Sequence, residues 1–187
     1  THLIPFKKAF NDGKSRSVMT SYNLLDGRPS TANHWLLTEK LKKDWDFKGF
    51  VISDASAVGG ANVLHFTAKD YGDASAQAIN AGLDVIFQTE YQHYKLFMPP
   101  FLDGRISKDR IDDAVAWVLR AKLELGLFEN PYVSENGFKE LKKIDHKPLA
   151  EKAAAESFVL LQNNVGTLPV SEKYKKILVV GTDAVDA

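Results

Sequence analysis

The segment Gly49-Phe50-Val51-Ile52-Ser53-Asp54 decides how the rest of the chain is read. A run that favours extended backbone ends on a carboxylate, which predicts a strand with a reactive group at its carboxyl end. On either side of it the apolar period alternates between strand-like and helix-like. Upstream, Ser17–Tyr22 predicts a first strand, followed by a turn region at Asp26-Gly27-Arg28-Pro29. Asn33 is placed to cap a helix in which Trp35, Leu36, Leu37, Leu41 and Trp45 recur at helical spacing. Downstream, a loop containing Gly59-Gly60 leads to a helix from about Asp70 to Ala81. Leu83–Gln88 is a continuous apolar run, as expected of a third strand covered on both faces.

Tyr91–Leu102 reads as helical with an interruption at Pro99-Pro100. Ser107 opens the clearest helix, whose stripe is Ile111, Val115, Val118, Leu119 and Leu123, with Gly126 past its end. The order β-α-β-α-β-α-α gives an α/β fold with parallel strands and right-handed crossovers. Three such strands with their helices make about half of a barrel that typically takes about 250 residues. After Tyr132 the texture changes. Val133–Lys143 reads as a polar connector, and Pro148 falls in the first turn of a short Ala-rich helix, Leu149–Glu156. Phe158–Leu161 and Lys176–Gly181 read as strands of a second unit.

Composition narrows the function classes. The 187 residues are 44% hydrophobic and 26% charged, enough to bury a core and unlike a disordered chain. Lys and Arg number 24 and so do Asp and Glu, so a basic nucleic-acid footprint or polybasic membrane patch is not expected. The absence of cysteine removes disulfides and thiol catalysis. No apolar run reaches the roughly 18 residues of a membrane helix. The five histidines show no zinc-ligand spacing, and neither a metal nor a cofactor is expected.

In parallel α/β folds, reactive groups gather at the carboxyl ends of the strands. The three predicted strands end at Ser21-Tyr22-Asn23, Ser53-Asp54 and Gln88-Thr89-Glu90. Asp54 and Glu90 with Tyr22 nearby suit nucleophilic or acid/base work on sugars, or oxygen ligation of a divalent cation. The competing reading makes both carboxylates helix caps. His65 beside Phe66 is placed to line a pocket or to serve as a surface histidine. Gly59-Gly60 and the Val179–Ala184 segment lack the glycine spacing of a phosphate or dinucleotide loop. Ser53 and Ser56 sit in no nucleophile elbow, and the Trp35/Trp45 pair suits the core better than a sugar platform.

These residues carry a family likeness. Ser17-Val18-Met19-Thr20-Ser21-Tyr22-Asn23, Gly27-Arg28-Pro29, Asn33, Leu36-Leu37 and Trp45 through Asp54 resemble glycoside hydrolase family 3, whose pattern is close to VMxSYN…GxP…N…LL…WGFxGxVVSDW. Ala81-Gly82-Leu83-Asp84, Leu119 through Phe128 with Pro131-Tyr132, and Ser157–Asn163 with Leu168-Pro169 match further motifs in order. The resemblance implies the C-terminal part of a (β/α)8-type barrel over 1–132, an interdomain linker over 133–156, and the start of an α/β sandwich domain over 157–187. It implies a retaining, exo-acting β-glycosidase acting on β-glucosides, or on β-xylosides, with an oligosaccharide or glycoside as substrate.

By this resemblance Asp54 is the catalytic nucleophile, Tyr22 flanks it, Met19 lines the sugar subsites and Glu90 is a candidate subsite residue. The family's acid/base glutamate usually lies in the second domain, so it is expected beyond Ala187, and 187 residues alone are expected to be inactive. The remainder of the barrel and of the second domain are the expected partners, and a secreted or periplasmic setting follows from the family. Three positions depart from the pattern: Ala55 stands for the Trp of SDW, Asp46 for the Gly of WGF, and Gln162 for the Lys of LLKN. The N-acetylglucosaminidase branch, with its SDDL-like motif, fits Asp54-Ala55-Ser56 poorly. Two readings of other classes stay open. One is a non-catalytic α/β carbohydrate-binding or assembly module; the other, a phosphosugar barrel, lacks its phosphate loop or strand-end lysine.

Overall fold

In the computed structural model, which describes residues 2–141 and 145–184, the first element is α1 (Ile4–Asn11). Pro5 suits its first turn, where a missing N–H breaks no hydrogen bond. Phe10 is buried, its ring centroid 4.6 Å from that of Phe47. This helix has no counterpart among the expected elements: it is anchored through one buried residue, too few to set up a period.

β1 (Ser17–Thr20) follows, and then β2 (Leu24–Leu25) pairs antiparallel with β3 (Arg28–Pro29). Asp26 and Gly27 between them have φ of 51° and 76°, the positive pair that a tight two-residue hairpin turn needs. The expected helix after Asn33 is present as Trp35–Asp44, but as a π-helix. Asn33 caps it as expected, its side-chain oxygen accepting the Leu36 N–H at 3.1 Å. The wide turn shows at the far end, where Trp45 N–H donates to the Lys40 carbonyl at 3.1 Å, five residues back. Apolar spacing cannot separate i→i+4 from i→i+5 winding over so short a span.

β4 (Phe50–Ser53) lies parallel to β1 in the register Ser17 to Phe50 through Thr20 to Ser53. The third expected strand, Leu83–Gln88, runs beside β4 in parallel but forms a single bridge, Ile52 to Val85. Side chains take over the neighbouring ladder positions. The Asp84 carboxylate accepts the Val51 N–H at 2.9 Å, and the Ser53 hydroxyl accepts the Phe87 N–H at 2.9 Å.

The Gly59-Gly60 stretch is not a loop. It forms α2 (Ala57–Val63), because a residue without a side chain lets α2 press against the Tyr71 ring. A Cβ at Gly59 would fall 2.8 Å from that ring. α3 (Tyr71–Ala81) starts at Asp70, whose carboxylate accepts the Asp73 N–H at 2.7 Å. The next helical region splits at Pro99 into α4 (Tyr94–Phe97) and α5 (Pro99–Leu102), as expected of a proline. Ser107 then caps α6 (Lys108–Glu124), accepting the Arg110 N–H at 3.2 Å. Of its stripe, Ile111 packs on the core, whereas Val115, Leu119 and Leu123 stand exposed.

The core lies where these helices meet the two strands, with Val51, Val58, Leu83 and Ile106 closed to solvent. Burial of one such side chain stabilises by about 1.5–3 kcal/mol. Across it runs a buried ion cluster absent from the sequence expectations. The Asp84 carboxylate meets Lys42 at 2.7 Å and Arg110 at 2.6 Å, joining β4, the π-helix and α6. Arg110 also donates to the carbonyls of Ile79 and Leu83.

All of this belongs to the first of two compact units, residues 1–132; the second is 133–187. In the second, the expected polar connector contains α7 (Glu135–Leu141), whose start is capped by Ser134 accepting the Gly137 N–H at 3.1 Å. Lys142 and Lys143 of that connector lie outside the described residues, as do Thr1 and residues 185–187. α8 (Lys147–Ser157) is the expected Ala-rich helix, begun by Pro148. The strands expected at Phe158–Leu161 and Lys176–Gly181 do not form: neither run pairs in a ladder, and their apolar side chains are exposed. That corrects the expected first strand of a second domain over 157–187. An apolar run becomes a strand only beside a partner for its N–H and C=O groups, and among the described residues none is provided. Asn163 instead pins the intervening loop, bonding to both N–H and C=O of Leu168.

Candidate active site

The carboxyl ends of β1, β4 and the 83–88 segment converge on one cluster. Asp54 follows β4 directly, half-buried, with its N–H donating to the Thr20 carbonyl at 3.2 Å. One carboxylate oxygen accepts the Ala55 N–H at 2.6 Å. That contact is to the next residue along the chain. The residue at the cap of α2 is Ser56, whose side chain makes no cap bond. The helix-cap reading of Asp54 is therefore not what the geometry shows.

The chain reverses sharply after Ala55. Ser56 sits at φ 62°, a left-handed conformation costly for a residue with a Cβ. It is held there on both sides: its N–H donates to the Phe87 carbonyl at 3.0 Å, and its hydroxyl to the Gln88 side chain at 3.1 Å. These bonds fix the direction in which Asp54 leaves the sheet.

Tyr22, two residues beyond β1, reaches across to this turn. Its hydroxyl donates to the Ala55 carbonyl at 2.5 Å and lies close enough to Asp54 to feel its charge. Loss of water around the phenol pushes its pKa up, and the negative charge of Asp54 and hydrogen bonding to it push the same way. His65 comes from the loop after α2, its Nε2 2.6 Å from the Tyr22 carbonyl. Phe66 beside it has φ 54°.

The other two candidates stand apart. Met19 is exposed and opens on a cleft of about 280 Å³ lined also by Phe6, Leu36 and Trp45, which Asp54 does not line. Glu90 pairs with His93 at 3.3 Å, with both side chains largely exposed, and shares no hydrogen bond with the Asp54 cluster among the described residues. Sequence reasoning missed Ser56 and Gln88 as the residues that shape the turn. Ser56 carries no signal, because left-handed backbone at a serine is set by tertiary hydrogen bonds. The Asp84 cluster did leave one, a carboxylate inside an otherwise apolar run. Among the described residues no group of three or more His, Asp or Glu is arranged to hold a metal ion, and no helix is long and apolar enough to cross a membrane.

Comparison with known proteins places these features in a family context. Residues 1–121 match the model of the glycosyl hydrolase family 3 N terminal domain. A periplasmic β-glucosidase of Salmonella typhimurium is 38% identical over 96% of this chain and 24% of its own length. β-D-xylosidase 1 of Arabidopsis thaliana is 31% identical over 98% of this chain and 24% of its own. Among solved structures, a β-glucosidase from Listeria innocua in complex with glucose superposes with a TM-score of 0.68, at 32% identity, over 90% of this chain and 23% of that one. The chain spans about a quarter of the length of the curated relatives it matches.

Proposed function

The chain belongs to glycosyl hydrolase family 3, and on that premise we propose that it carries the nucleophile of a retaining β-glycosidase that removes a terminal β-linked sugar. The observation that supports this reading most is the strand-end position of Asp54, with one oxygen oriented by the Ala55 N–H and Tyr22 at its side. A carboxylate oxygen of Asp54 attacks the anomeric carbon while the bond to the leaving-group oxygen breaks and that oxygen takes a proton from an acid. Water then hydrolyses the glycosyl ester and returns the carboxylate. In such enzymes the second carboxyl sits about 5–5.5 Å from the nucleophile. The Tyr22 hydroxyl steadies the turn that carries Asp54 by donating to the Ala55 carbonyl, and the nearby charge of Asp54 favours its protonated form. Met19 and Glu90 are proposed as outer sugar contacts.

β-Glucosides are the first substrate class, following the β-glucosidase relatives; β-xylosides are the second, favoured equally by the xylosidase relative. We read residues 1–132 as part of a (β/α)8-type barrel, 133–156 as linker, and the rest as the start of a second domain. The periplasmic relative supports a periplasmic or secreted setting.

The test is covalent trapping on the protein in its natural full length. 2-Deoxy-2-fluoro-β-glucosyl and -xylosyl fluorides are added in parallel and the adduct is mapped by peptide mass spectrometry. The expected result is a stoichiometric adduct on Asp54, with the faster sugar marking the substrate class. No adduct on a folded protein would hand the position to the carbohydrate-binding reading, and an adduct on another carboxylate would move the nucleophile.

A further inference from the structure

Ser56 breaks two local rules at once, two positions after the strand-end carboxylate. Its backbone is left-handed, at φ 62° and ψ 6°, a conformation that glycine takes freely and that a Cβ makes costly. It also stands directly before α2, where a serine hydroxyl is favoured because it accepts a helix N–H. Here it makes no such bond. The hydroxyl turns instead to the Gln88 side-chain oxygen, 3.1 Å away on the neighbouring segment. A residue that forgoes both its relaxed backbone and its cap bond is over-determined by its surroundings, and such residues gather where a reacting group has to be presented.

What holds Ser56 is residues 87–88, and they are gripped from both sides of Asp54. Ahead of the carboxylate, the hydroxyl of Ser53, closed to solvent, accepts the Phe87 N–H at 2.9 Å. Behind it, the Ser56 N–H donates to the Phe87 carbonyl at 3.0 Å. β4 and this segment share the bridge from Ile52 to Val85, and past it these serine contacts carry the pairing. On the opposite edge the Asp54 N–H donates to the Thr20 carbonyl of β1 at 3.2 Å. The turn 54–56 is thus strung between β1 and residues 87–88.

Resting on the reading of Asp54 as nucleophile, we propose that Ser53 and Ser56 are positioning residues, which clamp residues 87–88 and thereby set the angle at which the Asp54 carboxylate meets the anomeric carbon. Both act through Asp54. The clamp contributes to the attack and not to affinity for the sugar, and a misplacement of about 1 Å can cost about a hundredfold in rate. It also has a signature in stability. Glycine at position 56 relaxes the backbone while it removes the hydroxyl, so the fold gains or holds where the chemistry loses.

The full-length protein is treated with whichever 2-deoxy-2-fluoro-β-glycosyl fluoride labels the wild type faster, and inactivation is followed against reagent concentration. This separates the saturating rate of adduct formation from the half-saturating concentration. In Ser56→Gly the saturating rate is expected to fall about tenfold while the half-saturating concentration stays within about twofold, as for a group that orients without binding. Its thermal midpoint equals or exceeds that of the wild type. Gln88→Met lowers the rate in the same way, and the double variant is no slower than the slower single one, because both remove one bond. Ser53→Ala also slows labelling at unchanged half-saturation, and Ser56→Gly keeps the test open if the variant at the buried serine does not fold. A Ser56→Gly protein that labels at the wild-type rate, or whose loss lies wholly in the half-saturating concentration, overturns the proposal while leaving Asp54 as nucleophile. A folded wild-type protein with no adduct on Asp54 overturns both.

Discussion

At the scale of single residues, the pairing of Tyr22 with Asp54 makes a prediction about protons. The phenol pKa is raised by loss of water first, and then by the charge of Asp54 and hydrogen bonding to it. A raised phenol pKa means that the fold prefers the neutral form. That preference is fully present below pH 10, the ordinary value, and is lost as pH rises through the raised one. In Asp54→Asn the charge is gone and the dehydration stays, so the Tyr22 titration moves down part of the way toward its ordinary value. Chemical shifts of ¹³Cζ-labelled tyrosine followed against pH measure this directly. An unchanged Tyr22 titration in Asp54→Asn would show that the two side chains do not interact.

Tyr22, Asp54 and Glu90 were legible as strand-end residues, because the carboxyl-end rule needs only local sequence, whereas Met19 was singled out by the family likeness alone. What local sequence does not carry is which of them share a site. Asp54 and Tyr22 come together through the parallel pairing of β1 with β4, whereas Glu90 turns to His93 instead.

At the scale of elements, the Asp84 cluster fastens three pieces of structure that are distant in sequence. One carboxylate serves the β4 backbone at Val51, Lys42 of the π-helix and Arg110 of α6. Its side chain has no solvent exposure, and those of Lys42 and Arg110 are 14% and 15% exposed. Burial pushes the Lys42 pKa down, and the charge of Asp84 opposes it. Asp84→Asn keeps an acceptor for Val51 but removes the carboxylate that Lys42 and Arg110 share, Arg110 keeping its pair with Asp113 at 2.6 Å. A loss of about 2–4 kcal/mol follows, toward the lower part of the range for breaking a buried pair because both cations keep some water. Urea unfolding followed by tryptophan fluorescence tests it, and a midpoint equal to wild type would refute it. The same cluster explains why the third strand was only partly legible. Its apolar run was read correctly as covered, but Asp84 and Ser53 replace main-chain partners, and a period-based reading cannot foresee that substitution.

For the molecule as a whole, the two units differ in kind. Residues 1–132 hold the closed core of Val51, Val58, Leu83 and Ile106. Residues 133–187 present Phe158, Leu161, Leu178 and Val180 to solvent at 81% exposure or more. Glycosidic hydrolysis with retention takes two carboxyl groups facing one anomeric carbon. Here Asp54 has no second carboxyl hydrogen-bonded into its cluster among the described residues, and the chain covers about a quarter of its curated relatives. The 187-residue chain produced alone is therefore expected to hydrolyse p-nitrophenyl β-glucoside and β-xyloside only at trace rates. Turnover well above trace that disappears in Asp54→Asn would overturn this and assign the acid role to a residue of this chain.

The sequence by itself determined the α/β class, the elements β1, β4, α3 and α6, the capping roles of Asn33 and Ser107, and the family likeness, since each rests on short-range spacing or ordered motifs. Tertiary structure alone decided that Gly59-Gly60 lies in a helix, that Trp35–Asp44 winds as a π-helix, and that Asp84 meets Lys42 and Arg110. It also decided that 158–161 and 176–181 stay unpaired, against the expectation of strands. The reason is common to all four. A helix face, a turn width, a buried charge and a strand edge are each completed by atoms far along the chain, and the free energy of that completion is not encoded in any window of neighbouring residues.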